Sequence, residues 1–424
     1  MTSSYLFENI QILEGAGSTL KKKTVLIKDG VIKAFGKKAI QNAELLRIKS
    51  QNAKNMLLAP CLVDPHSFLE SPFSCKEENI YTLIKKATFA GYGQVGILPR
   101  GELWRDQIEP IISIKTIKSE VLIHLWGGFS LSGKGASLSR HAHLLQNGAI
   151  GLCDDDFIPP LELLKQGFSL GEMKNSPILI APRDKILQAD GMSRQSVETL
   201  RAGWPPDPIE SEILPLIQLL ELQKQYPEVA LRLMNISTSE GVEILKNAYS
   251  QPMATVLWWH LVNDNSSLTP FDIGWSVTPS LGSPRDRASL IKGLEEDVLT
   301  AISVHSSPLD DSETKLPANK RKKGISCYSL VLPLLWDQLV RRSGWGVEKL
   351  WEKISFGPSK LLNQAEEKLS LNSNRWLLFD PEKEWVQSNE ENNFTTSTNQ
   401  PIKDNKIYGK VIDCGLISQA YQND

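Results

Sequence analysis

At 424 residues, with 41% hydrophobic and 23% charged side chains, the chain can bury one large core and a smaller one, which excludes wholesale disorder. Its net charge of −2 excludes a global field that would draw it to nucleic acid or an anionic membrane. The five cysteines (Cys61, Cys75, Cys153, Cys327 and Cys414) are scattered and form no Cys-x-x-Cys, which excludes a disulfide framework or zinc ribbon and fits a reducing cytosol.

The first stretch reads as short strands, Tyr5–Leu13 and Thr24–Lys28, with Asp29-Gly30 turning into Val31–Phe35 and Gly36 closing the unit. Lys21-Lys22-Lys23, just before the second strand, reads as solvated loop charge, as does Lys320-Arg321-Lys322-Lys323 much later. The middle alternates. Apolar strands are expected over Met56–Val63, Gln94–Leu98, Val121–Trp126, Ile150–Cys153, Pro177–Ile180, Ala230–Met234, Ala254–Trp258 and Thr300–Ser303. Helical patterns lie between them. Glu77–Ala90 carries Ile80, Leu83, Ile84 and Ala87 on one face, Ser137–Gln146 stops at Gly148, and a capping box in Ser237-Thr238-Ser239-Glu240 opens Gly241–Tyr249. The C-terminal part returns to strands, at Arg375–Phe379, Glu384–Gln387 and Lys406–Cys414, around a polar insert Ser388–Asn405 whose 389–393 stretch reads as a mobile loop.

Eight strand–helix alternations imply a parallel sheet closed into a (β/α)8 barrel, spanning 56–365. Segments 1–55 and 366–424 are then expected to form one small β domain together. Gly91-Tyr92-Gly93-Gln94-Val95-Gly96 enters a strand rather than leaving one, so it is no phosphate fingerprint and an open doubly wound sheet is the weaker reading. No basic n-region followed by an apolar stretch opens the chain, and no apolar run approaches the ~20 residues of a membrane span. A cytoplasmic protein with no nucleic-acid or membrane partner is expected.

In such a barrel chemistry sits at the C-terminal strand ends. Leu58–Asp64, leading to His66, has the outline of a strand running into a metal-binding His-x-His pair, but the second position is Phe68, whose ring has no lone pair. Together with Gly148–Asp155, Ile236-Ser237-Thr238, His260-Leu261, Pro284–Ala288 and Phe356–Lys360, this stretch resembles the dihydroorotases of the cyclic amidohydrolase superfamily, over nearly the whole chain. The resemblance implies a barrel with a β-sandwich domain built from both ends. It also implies, in active members, one or two zinc ions held by a His-x-His pair, a carboxylate, two further His and a late Asp that serves as general base. Such a metal lowers the pKa of its bound water to roughly 7 and polarises the carbonyl of a cyclic amide.

Matched onto that pattern, His66 and Asp154 retain ligand positions, and four are lost: Phe68, Ala181, Asn235 and His305, the last standing where the late Asp is expected (a shift of one residue would put Val304 there). The substrate clamps differ as well. Glu70 replaces an Arg and would repel a substrate carboxylate, Arg100 and Thr278 replace Asn residues, and Gly282 replaces an Arg. Two ligands are too few for a tetrahedral site, so no catalytic residue and no bound cofactor are expected. His66 with Asp154 reads as a buried polar pair, and His305 as a satisfied loop histidine. Arg183 is a candidate to pair with Asp154 or Asp155 in place of a cation, and Glu70 with Arg100 is a candidate charge-reversed clamp. Phe68, Trp258 and Trp259 are expected to pack at the barrel mouth, and Trp336, Trp345 and Trp351 to pack or to meet another subunit.

Three functions stay open. One is a non-catalytic dihydroorotase-like protein, structural or regulatory, as a homo-oligomer or with an aspartate transcarbamoylase-like partner, the role that inactive members of the resembled family take in pyrimidine synthesis. The second is a working dihydroorotase or related cyclic amidohydrolase with a non-standard site. The third is a small-molecule binding module.

Overall fold

The computed structural model describes residues 4–73, 77–101, 105–173, 175–317, 320–387, 397–402 and 405–416. Alternating apolar residues near the N-terminus form the meander β1 (Tyr5–Ile12), β2 (Lys21–Lys28) and β3 (Val31–Phe35), with the expected turn at Asp29-Gly30, where both residues have positive φ. Helix α1 (Lys37–Leu46) lays Ala39 and Ala43 on this sheet, and the short β4 (Ser50–Asn52) and β5 (Leu57–Ala59) run parallel to β1. The sheet therefore takes the first half of the stretch read as the first barrel strand. The barrel begins only at β6 (Leu62–Ser67), because Pro60 lacks the N–H needed to continue a ladder.

Helix α2 (Ile80–Phe89) is shorter than Glu77–Ala90. Asn79 caps it through a box with Thr82, and its apolar face is the expected one. The barrel continues through β7 (Tyr92–Ile97), β8 (Leu122–Gly128), β9 (Gly151–Cys153) and β10 (Ile178–Ile180). A two-strand excursion, β11 (Ser193–Arg194) with β12 (Pro206–Asp207), precedes β13 (Leu231–Leu233), β14 (Met253–Leu257) and β15 (Ala301–Ser303). All neighbouring pairs among the eight barrel strands are parallel. The seam between β15 and β6 is stitched by other means. Phe68 N–H donates to Ser306 O (2.8 Å), Ser306 N–H to Ser67 Oγ (2.7 Å), and Val304 N–H to the Asp64 carboxylate (3.0 Å).

Two helices depart from expectation for visible reasons. Ser137–Gln146 is helical only from His141, since Ser137 O and Ser139 N–H are taken by Leu131 and Phe129 in an extended pairing. The helix after β13 is Ser239–Lys246; Thr238 caps Gly241 N–H, but Glu240 turns to Ser239 Oγ, so no reciprocal box forms. Near the C-terminus, Arg375–Phe379 and Glu384–Gln387 fuse into one bulged strand, β16 (Leu377–Val386), paired with β17 (Lys406–Cys414) and β5. Strands from both ends thus share one sheet, in the order β17-β16-β5-β1-β2-β3. The 389–393 stretch and Cys75 lie outside the described residues.

Candidate functional site

Strands β6 and β14, and the chain just beyond β9, β10, β13 and β15, bring His66, Asp156, Arg183, Asn235, Thr255 and His305 into one buried polar cluster. Asp64 sits beneath it and holds the barrel seam. Its carboxylate accepts from Ser67 Oγ (2.5 Å), Tyr328 OH (2.8 Å) and two backbone N–H groups. Burial pushes its pKa up to about 6 in spite of those donors.

Both ring nitrogens of His66 are engaged: Nδ1 meets His305 Nδ1 at 3.0 Å and Nε2 meets Thr255 Oγ1 at 2.9 Å. Burial, with His305 alongside, holds His66 well below the usual histidine range, so its ring is neutral and one nitrogen donates. Thr255 O–H donates to Asn235 Oδ1 (3.1 Å), so His66 Nε2–H donates to Thr255 Oγ1 and His305 Nδ1–H donates to His66 Nδ1, which gives each of these contacts a donor. His305 Nε2 faces Asp156 Oδ1 at 3.2 Å. This last contact has ion-pair distance but not hydrogen-bond alignment. Asn235 Oδ1 keeps Ser303 Oγ as a donor at 2.7 Å, while its Nδ2 has no partner among the described residues.

Asp156 is the electrostatic centre. Arg183, 1% exposed, donates from Nη2 to its Oδ1 and from Nε to its backbone carbonyl, both at 2.8 Å, and from Nη1 to Asn235 O at 3.4 Å. Arg100, about one-third exposed, approaches Asp156 Oδ2 (3.3 Å) and Asp155 (3.6 Å), and its guanidinium lies 4.3 Å from the centroid of the Phe68 ring. Burial alone would raise the Asp156 pKa, yet His305, Arg183 and Arg100 together hold the carboxyl below the usual range. The expected Arg183 ion pair therefore exists with a different partner, Asp156 rather than Asp154 or Asp155. Asp156 lies two residues beyond Asp154 and three beyond the end of β9.

Asp154 is bonded to Ser130 rather than to His66. Ser130 N–H and Oγ–H fill its two oxygens at 2.8 and 2.6 Å, and burial pushes its pKa up to about 6. Expected as a polar pair, His66 and Asp154 each have other partners. Phe68 packs edge-on to His305 (4.8 Å between ring centroids) and shares an apolar cluster with Ala181, Trp126, Leu179 and Met234. His305 lies in the loop after β15, as expected, and is 4% exposed and in the cluster. Glu70 does not clamp with Arg100. It pairs with Lys322, which also holds Glu313, so Lys322 is not simply solvated; Lys323 likewise donates to Gly191 O. Thr278 lies half-buried and Gly282 packs against Asp286. Trp258, Trp259, Trp336, Trp345 and Trp351 are buried.

A zinc ion does not fit this donor set. Phe68 and Ala181 offer no donor, both His66 nitrogens are used, and the carboxylates of Asp154 and Asp156 already have donors or a cation. Among the described residues, the acids close enough to share a cation are Glu77, Asp310 and Glu313, none of them in this cluster. Asp156, Thr255 and Tyr328 escaped the sequence reading. The Asp154-Asp155-Asp156 run was the available signal for the first, and neither of the others has a local one.

No family model matches the chain. It is 29% identical over 394 residues to a probable dihydroorotase-like protein of Synechocystis, covering 85% of this chain and 88% of that one. It is 26% identical over 415 residues to a dihydroorotase of Elusimicrobium minutum, covering 96% and 95%. The fold matches a dihydropyrimidinase from Brevibacillus agri (TM-score 0.74, 16% identity, 97% of this chain and 93% of that one). It also matches an L-hydantoinase from Arthrobacter aurescens (TM-score 0.75, 16% identity, 96% and 93%). With the strand-end residues that carry the likeness, these matches show a chain similar to dihydroorotases over almost its whole length, in the fold of the hydantoinases.

Proposed function

We propose that this dihydroorotase-like barrel is non-catalytic and serves a structural or regulatory role, with a second copy of itself or with an aspartate transcarbamoylase-like subunit of pyrimidine synthesis. The observation that carries the reading is the Arg183–Asp156 pair. A guanidinium sealed against the one strongly ionised carboxylate of the cluster supplies the positive charge that the buried acids need, without an open coordination position. An arginine cannot give up its proton to become a base, and it cannot sharpen a water as a metal does. Phe68 packs on His305 and Arg100 lies against the Phe68 ring, and both imidazoles are buried, so neither His66 nor His305 presents a face to solvent in this arrangement.

A second reading is an active cyclic amidohydrolase with a non-standard site. The match to relatives named dihydroorotase over almost their whole length favours it. The two separate on purified full-length protein: metal content, and turnover of carbamoyl aspartate and dihydroorotate. The non-catalytic reading expects far less than one zinc per chain and no turnover above buffer; near-stoichiometric zinc with turnover supports the second.

A further inference from the structure

The overall charge of −2 conceals an asymmetry. Residues 1–55 carry ten Lys and Arg against four Asp and Glu, and the remaining chain carries the opposite excess. Lys21-Lys22-Lys23 is not loop but the start of β2, and Lys33, Lys37 and Lys38 continue the positive charge onto β3 and α1. Arg47, Lys49 and Lys54 follow α1.

Of these ten cations only Lys23 has an ion pair among the described residues, with Glu14. Lys21, Lys22, Lys28, Lys33, Lys37, Lys38, Arg47, Lys49 and Lys54 have none. Cations elsewhere on the surface, such as Lys246, Lys349, Lys360 and Arg341, do have carboxylate partners. A self-contained domain surface normally intersperses its charges; this one leaves nine cations without an ion pair among the described residues, with Glu44 the one acid on α1 and Asp29 beside Lys28. Apolar side chains stand among the lysines. On α1, Leu45 is 84% exposed, and Ile40 and Leu46 are also exposed, while Ala39 and Ala43 alone anchor the helix to the sheet.

We infer that the exposed side of α1, with the exposed lysines at the start of β2 and on the edge strand β3 next to it, is a docking surface for an anionic lipid bilayer. Eight of the nine unpaired cations are lysines. Lysine is a hydrated point charge suited to a fluid layer of phosphates and carboxylates, whereas protein and nucleic-acid interfaces favour arginine's fixed fork. The exposed Leu45, Leu46 and Ile40 supply the apolar half of the two-part signal by which a peripheral helix settles among headgroups. Juxtaposed lysines add to the attraction within a Debye length of the surface, so the association should be reversed by salt.

The test is co-sedimentation of the full-length protein with vesicles of phosphatidylcholine alone, or of phosphatidylcholine mixed with phosphatidylserine, at low and physiological salt. Binding is expected to the mixed vesicles only, weakening as salt rises. Lys37→Glu with Lys38→Glu should lower the partition coefficient by about 25-fold or more, at roughly fivefold per lysine. Leu45→Ser should lower it several-fold while keeping the salt dependence. All three sites are exposed, so an unchanged melting temperature verifies the fold of each variant. Equal binding to both vesicle types, or to neither at low salt, overturns the proposal, as does insensitivity to the lysine pair. Retention by double-stranded DNA or polyglutamate without retention by mixed vesicles overturns it in favour of a polymer partner.

Discussion

Each end of the barrel is closed by an arginine on a carboxylate, and the two pairs are built differently. At the N-terminal end Arg375 grips Glu367 with two nitrogens and reaches the carbonyls of Gly93 and Glu120, while Gln94 links Glu367 to Ala365. These contacts bind the terminal sheet to the barrel floor, and about a quarter of the Arg375 side chain remains exposed. At the C-terminal end Arg183 and Asp156 are almost wholly buried and are surrounded by positions that hold metal ligands in the family the chain resembles. The floor pair is a clamp between two layers; the mouth pair occupies the middle of what should be a reaction centre. The same chemistry joins parts at one end and fills a site at the other.

The largest effect should come from opening the mouth pair. Arg183→Ala leaves Asp156 buried with only the more exposed Arg100 and His305, and is expected to cost about 3–5 kcal/mol in denaturant melts. Arg375→Ala should cost less, since water reaches that guanidinium. Equal or reversed losses would end the distinction between the two ends. Adding Asp156→Asn to Arg183→Met should recover much of the mouth loss, because the unpaired charge goes with its partner.

Phe68→Ala comes next, at about 3 kcal/mol from the cavity and the lost contacts with His305 and Arg100. A loss well under 1 kcal/mol would mean that the mouth is not packed as described.

The pH dependence discriminates further. His260 donates Nε2–H to Ser280 O, and burial holds its pKa down to about 4. The unfolded chain therefore takes up a proton that the folded chain refuses, so this stability is full above about pH 6.5 and declines as pH falls towards 4. His260→Asn should flatten that decline by on the order of 2–3 kcal/mol at pH 4 relative to neutral pH. Asp64 has the opposite sign. Its raised pKa of about 6 means that the folded state is protonated first on acidification, so Asp64→Asn should steepen the acid-side loss. Smallest of all, Lys322→Ala removes an exposed pair to Glu70 and should move stability by less than about 1 kcal/mol.

The barrel and the sheet shared by both termini were legible in the chain because apolar periodicity and turn residues are local signals. The closing seam was not. Asp64, Ser67, Val304, Ser306 and Tyr328 meet across some 240 to 264 residues, and nothing in any one segment announces the others. At the mouth, the residue types that cannot bind metal could be read directly: Phe68 and Ala181 carry their chemistry in their names. What replaced the donors was harder to see. Asp154 is the carboxylate that aligns with the resembled family, whereas the one that meets Arg183 and His305 stands two residues later. The splitting of Met56–Val63 had a local sign in Pro60, and the fusion of the two C-terminal strand segments through a bulge had none.

The most direct measurement is elemental analysis of the full-length protein purified without chelator, paired with an assay in both directions between carbamoyl aspartate and dihydroorotate. A non-catalytic barrel should carry zinc far below one equivalent and give rates indistinguishable from buffer, before and after incubation with zinc. One tightly held ion per chain, together with turnover that Asp156→Asn or His66→Ala abolishes, would contradict it.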